Sequence, residues 1–203
     1  MVKHKNIDVS MTSIIELLSV SASAEFDARK VVDIFEKDVG LTFKLMRFIN
    51  NPTVNKKNNI ESVTHAINFL GQNEMKKFIA LLALANLKGN KPEDLLVSSL
   101  TRARFCRLLS IRMGEAENPP NSFILGLFSR IDALLDTPMP AIVKKLPFNS
   151  GIKDALCKME SESTLAIQYR LCIAFEIADW QCIDRLSKKI SVPSIELFEM
   201  HYE

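Results

Sequence analysis

The sequence predicts an all-α protein. Apolar residues recur at helical spacing along nearly the whole chain, strand signals are almost absent, and most apolar stripes begin or end at a residue suited to a helix terminus. β-Branched residues are scattered without sustained alternation, and no Asn-Gly or Asp-Gly pair offers a hairpin turn. With 203 residues, 47% of them hydrophobic, the chain suffices for one multi-helix domain or two small helical lobes sharing an interface. We expect a flexible lead over residues 1–10, a helical domain over 11–203, and any lobe boundary near 115–121.

The elements follow in order. A short helix is expected over 11–19. Ala28, Val31, Val32 and Phe35 then share one helix face, with Ser23 as its cap. Leu41, Leu45, Phe48 and Ile49 form a third stripe. Asn50-Asn51-Pro52 stops it, because the residue before proline avoids helix. Residues 55–59 read as a loop. Ser62 caps a short helix carrying Val63, Ala66, Ile67 and Leu70, and Gly71 ends it. From Asn73 another helix turns Met75, Phe78, Ile79, Leu82 and Ala85 inward. After a break at 88–91, Pro92 sits in the first turn of a long helix, where a missing N–H costs nothing. Its buried stripe is Leu96, Leu100, Ala103 and Cys106, and Gly114 terminates it. Further helices are expected over 122–135, between Pro138 and Pro147, and over 152–159. A long one runs from Leu165 through Tyr169, Ile173 and Phe175 toward Trp180, its pattern continuing in Ile183, Leu186 and Ile190. Pro193 opens the last, with Ile195, Leu197 and Phe198.

Several function classes lose support at this level. The net charge of +2 implies no polyanion partner, so no nucleic acid is expected. The longest apolar run, 78–85, is far short of the ~20 residues a membrane helix needs, and the N-terminus has no secretory apolar stretch. Cys106, Cys157, Cys172 and Cys182 form no Cys-x-x-Cys pair and lie among apolar neighbours, which suits reduced thiols in a cytoplasmic protein. The six glycines do not cluster into a phosphate loop. His4, His65 and His201 stand apart, whereas a metal site wants three or four converging ligands. No nucleophile elbow is present. Catalytic, cofactor and metal residues are therefore expected to be absent.

The densest charge feature is Arg102, Arg104, Arg107 and Arg112 on one helix. Arg102 and Arg104 lie roughly 200° apart around its axis, and Arg104 and Arg107 are neighbours. An ion-paired, solvated face is expected there, with an anion site as the alternative. Asp132, inside an apolar run, is expected to play a structural role, pairing with Arg130 or Arg104 or accepting backbone N–H bonds. Trp180 is expected to pack in the core or between lobes, with an interface anchor as the alternative.

Several segments resemble the HD-related output domain, HDOD, of bacterial signalling proteins. Residues 36–51, EKDVGLTFKLMRFINN, are similar to its D-x-x-L-x-x-K-L-L-R-x-x-N-S opening. Residues 60–71, IESVTHAINFLG, are similar to its I-x-S-x-x-x-A-I-x-x-L-G helix. Residues 102–106 and 126–135 resemble the branch found behind EAL domains, which bind or hydrolyse cyclic di-GMP. The resemblance implies an all-helical fold related to HD-type metal phosphohydrolases. In those enzymes a Gly-Leu-Leu-His-Asp-like segment supplies metal ligands. Where Gly126-Leu127-Phe128 is its counterpart, Ser129 and Arg130 stand in place of His and Asp, and an arginine repels a cation. The resemblance thus implies a non-catalytic module that docks protein partners, an EAL domain in the same chain among them. The alternative is a residual phosphohydrolase or nucleotide-binding domain using Arg104, Arg130 and Asp132.

Overall fold

The structure, a computed structural model, describes residues 11–22, 25–55, 59–87, 91–115 and 119–202; the lead over 1–10 and the cap expected at Ser23 lie outside them. The regular structure among the described residues is helical, with twelve helices and no strand. The chain divides into two compact units, Met1–Asn86 and Leu87–Glu203.

In the first unit are α1 (Met11–Ala22), α2 (Ala28–Lys37), α3 (Val39–Ile49) and α4 (Val63–Leu87). The Asp27 carboxylate accepts from Lys30 N at 3.1 Å and caps α2. Asp38 ends α2 and starts α3, accepting from Leu41 N at 3.1 Å. The core takes Val31, Ile34 and Phe35 from α2, Leu41, Leu45 and Ile49 from α3, and Met75, Phe78 and Ile79 from α4. The Phe78 ring lies 6.4 Å from Phe35 and 4.8 Å from Phe48, tying the three helices together. Leu84 is buried, whereas Ala85, expected inward, is exposed. Asn50 does more than stop α3. Its side-chain amide donates to Ile60 O at 2.8 Å and accepts from Ile60 N at 3.0 Å, closing the loop by imitating a backbone pair.

Ser62 Oγ accepts from His65 N at 3.1 Å, the cap expected there. Gly71 breaks the α4 path with φ 72° and ψ 169°, a conformation open essentially to glycine alone. A methyl at this position meets nothing within 4 Å, so its cost is purely conformational. Gly71→Ala should lower stability by about 1–3 kcal/mol. A fall in the urea midpoint at unchanged slope checks this; an unmoved midpoint contradicts it.

The second unit holds α5 (Glu93–Arg112), α6 (Pro119–Phe128), α7 (Ile131–Leu135), α8 (Met139–Val143), α9 (Ser150–Cys157), α10 (Thr164–Glu176), α11 (Trp180–Ile190) and α12 (Ser194–Tyr202). The division falls between Asn86 and Leu87; Glu115, after α5, and residues 119–121, which open α6, belong to the second unit, where α5 and α6 pack on each other. The chain reverses at Gly114, φ 75°, where Gly114 N bonds Ile111 O and Glu115 N bonds Ser110 O. This paired arrangement closes a helix on a left-handed residue.

Three expected helices are also corrected. Pro92 is the residue just before α5, not inside it, and the inward face of α5 is Ser99, Arg102, Ala103, Phe105, Cys106, Leu109 and Ser110. Leu100 is exposed and Leu96 only half-buried. Counting apolar residues alone rotates the stripe, because an arginine and two serines hold buried positions. The helix expected over 122–135 breaks at Ser129, whose hydroxyl bonds Gly126 O at 2.6 Å. The long helix toward Trp180 ends at Glu176. There Ala178 takes φ 55°, Ala178 N bonds Phe175 O, and Asp179 N bonds Ala174 O, repeating the closure at Gly114 with alanine in the left-handed place. Asp179 then caps α11 through Cys182 N. The core joins Phe105, Cys106 and Leu109 of α5 to Leu171, Cys172 and Phe175 of α10, with Ile183, Leu186 and Leu197 from α11 and α12.

Candidate functional site

The site begins with a glycine. A Cβ on Gly126 would fall 2.4 Å from the Arg102 carbonyl oxygen and 2.6 Å from Ala103 Cα. Only a residue without a side chain lets the backbones of α5 and α6 meet this closely. The approach carries the Arg102 side chain to the turn that follows α6.

Arg102 is only 7% exposed, and each of its guanidinium nitrogens has a partner. Nε donates to Glu176 Oε1 at 2.7 Å, Nη2 to Glu176 Oε2 at 2.5 Å, and Nη1 to Ser129 Oγ at 3.0 Å. The fork on Glu176 is the bidentate geometry that makes arginine–carboxylate pairs strong. Arg130 Nη2 adds a bond to Glu176 Oε2 at 3.0 Å. The Tyr169 hydroxyl donates to Ser129 O at 3.2 Å, and its ring centroid lies 5.8 Å from the Arg102 guanidinium carbon. One glutamate at the end of α10 thus joins α5 to the break between α6 and α7.

The electrostatics agree with the geometry. Burial opposes the Arg102 charge, but the bonds and field of Glu176 outweigh it and hold the guanidinium above its ordinary range. Burial pushes the Glu176 carboxyl up, while Arg102 and then Arg130 pull it down further, leaving it below the usual carboxylate range. Burial raises the Tyr169 phenol against the pull of Arg102, and the Asp132 charge adds to the rise. One turn along, Cys106 Sγ and Cys172 Sγ lie 3.4 Å apart in the core. The bond to Cys106, then burial, pushes the Cys172 thiol well up, which makes it a poor nucleophile.

Arg102, Ser129 and Arg130 are therefore brought together, and the other residues singled out from the sequence are not part of their cluster. Arg104 is exposed and Arg107 half-buried on other faces of α5, while Arg112 pairs with Glu196 of α12. Asp132 lines an adjoining cleft of about 550 Å³ with Met139, Leu156, Met159, Glu160 and Tyr169, the last shared with the cluster. Trp180 is 49% exposed, with its ring 5.4 Å from Phe198; beside it Ile177 is 67% exposed. Neither Glu176 nor Tyr169 was singled out beforehand. Glu176 gains a signal only once the end of α10 is known. A carboxylate at a helix C-terminus opposes the macrodipole and therefore calls for a cationic partner. Among the described residues, no three His, Cys, Asp or Glu side chains converge as a metal site. No described helix is long and apolar enough to cross a membrane.

The HDOD domain model matches residues 9–147, more than half of the chain. The chain belongs to the HDOD family. The matched span of this HDOD chain holds Arg102, Ser129 and Arg130; Tyr169, Glu176 and Trp180 lie beyond it. Across 184 residues the chain is 29% identical to the cyclic di-GMP phosphodiesterase CdgJ of Vibrio cholerae, covering 91% of this chain and 42% of CdgJ. It is 28% identical over 191 residues to the uncharacterized protein YuxH of Bacillus subtilis, covering 93% of this chain and 46% of YuxH. The chain thus spans less than half the length of either relative. The crystal structure of the response regulator MmoQ from Methylococcus capsulatus aligns with it over 100% of both chains, at 18% identity and a TM-score of 0.45.

Proposed function

We propose that this HDOD chain is a non-catalytic signalling module that docks a protein partner and serves cyclic di-GMP signalling through an EAL domain carried in the same longer protein. The observation that carries the reading is the Arg102 cluster. At the positions the resemblance assigns to a metal-binding His-Asp pair stand Ser129 and Arg130, with the paired Arg102 guanidinium bonded to the serine hydroxyl. Fixed cations there disfavour a divalent metal and brace three helices instead. The similarity to CdgJ supports the link to cyclic di-GMP, and the length of that relative beyond the matched part accommodates a further domain. The exposed Ile177 and Trp180 at the α10–α11 corner supply a docking surface, since a half-exposed tryptophan is a frequent anchor of interfaces.

The test has two arms. The purified chain is assayed against cyclic di-GMP and bis(p-nitrophenyl) phosphate with Mn²⁺ or Mg²⁺; no turnover is expected. The tagged chain is then used to capture proteins from its own lysate, alongside Trp180→Ser. A reproducible partner lost in the variant supports docking at this corner. Turnover that disappears in Asp132→Asn would establish the residual-phosphohydrolase reading in its place.

A further inference from the structure

The aromatic side chains of the second unit form a continuous line from the surface into the core. Trp180 lies against Phe198, whose ring meets Phe175 edge-on at 5.3 Å. Phe175 in turn stacks face to face on His201, at 4.7 Å and 15° between planes. His201 also meets Phe105 edge-on at 5.7 Å. Phe198 and His201 both belong to α12, so the ring beside Trp180 and the imidazole against Phe175 sit on one helix.

His201 is the titratable member of this line. Its Nδ1 is buried and faces no hydrogen-bond acceptor. Neutral imidazole tolerates such a place, because one ring nitrogen carries no proton. Imidazolium donates at both nitrogens, so its charged form leaves a buried N–H unpaired. The charged groups on the packed elements do not supply that acceptor. On α10, Glu176 pulls on the imidazole at a distance while its carboxylate is committed to Arg102 and Arg130. On α5, Arg112 pairs with Glu196 of α12, and Arg104 carries positive charge. On α11, Asp184 accepts from Ser194 at the start of α12. The remaining acid of α12, Glu199, is on its exposed side.

We propose that His201 is a proton-sensitive latch: its protonation releases α12 and withdraws Phe198 from under Trp180. The inference rests on the docking reading above for its consequence, since it makes that corner responsive to pH. The direction follows from linkage. Burial lowers the imidazole below its ordinary value and outweighs the opposing pull of Glu176. The folded arrangement therefore binds fewer protons than the released one. The latch is fully closed above about pH 6.5 and loosens as pH falls below it.

The chain has a single tryptophan, so Trp180 fluorescence reads the latch directly. Titration of the whole chain from neutral to acid pH should shift the emission to longer wavelength and steepen acrylamide quenching, with far-UV circular dichroism nearly unchanged. The transition should vanish in His201→Phe and His201→Leu, and persist when His4 and His65 are both replaced by glutamine. A flat titration overturns the latch, as does a transition retained in both His201 variants or one that coincides with loss of all helix signal. The two proposals fail separately. A chain that captures no partner leaves this titration unaffected, and a flat titration leaves docking at the corner untouched.

Discussion

Gly126→Ala should destabilise the Leu87–Glu203 unit by at least about 3 kcal/mol, the largest single effect expected anywhere in the chain. The added methyl would sit 2.4 Å from the Arg102 carbonyl oxygen and 2.5 Å from its carbonyl carbon. These are backbone atoms inside a helix, so no side-chain rotation relieves the clash. Relief requires α5 and α6 to move apart by about an ångström, which loosens close-packed neighbours along both helices. Overpacking of a core costs about 1–3 kcal/mol when side chains absorb it, and more when backbone has to move. A loss of at least about 3 kcal/mol is a large part of the 5–15 kcal/mol that typically separates folded from unfolded domains. Gly151→Ala is the matched control. Its methyl would lie 3.4 Å from Leu165 Cδ1, an ordinary contact, within the helix α9. That change should stabilise by about 0.5–1 kcal/mol, because alanine restricts the unfolded chain. Urea unfolding of the two variants reads effects of opposite sign. Equal losses in both would refute the account of Gly126.

Arg102→Met should destabilise the second unit by about 2–3 kcal/mol, and Glu176→Gln by a similar amount. Breaking a buried pair by removing one partner costs about 3–5 kcal/mol, because the other charge remains without compensation. The lower figure applies here for two reasons. The Glu176 side chain is 27% exposed, and Arg130 still reaches it when Arg102 is gone. The double variant Arg102→Met/Glu176→Leu should lose less than the sum of the single changes, by about 1–3 kcal/mol, as expected of groups in direct contact. Strict additivity would show that the two side chains do not depend on each other. Acid titration gives an independent check. The Glu176 carboxyl is held below its ordinary range, so the folded state resists protonating it. Its stabilisation is complete above the unfolded value, about pH 4.3, and is lost as pH falls through the lower folded value. The double variant should lack that part of the acid-induced loss of stability.

Much of the fold was legible in residue order, for local reasons. Helix periodicity marked most of the longer helical segments, because a buried face repeats every three to four residues wherever a helix packs. Gly71 and Gly114 announced helix ends, because positive φ at those places favours glycine. Ser62 announced the start of α4 through its side-chain oxygen. The break after Phe175 was missed for the same reason in reverse. Its left-handed residue is Ala178, which carries no such signal, and the apolar pattern runs straight through the corner. The order of the HDOD-like segments likewise identified the family, and the match over residues 9–147 shows it.

Only the tertiary structure decided what the arginines do. Sequence spacing placed Arg102, Arg104 and Arg107 around one helix and favoured a solvated face for them. Which of them is buried depends on where α6 and α10 cross that helix, and this register is set by Gly126 and by a glutamate 74 residues further along. A charge enters a core only when its partner arrives with it. Local sequence therefore determined the helices and most of their ends, while long-range packing turned Arg102 inward, left Trp180 half in water, and stacked His201 on Phe175.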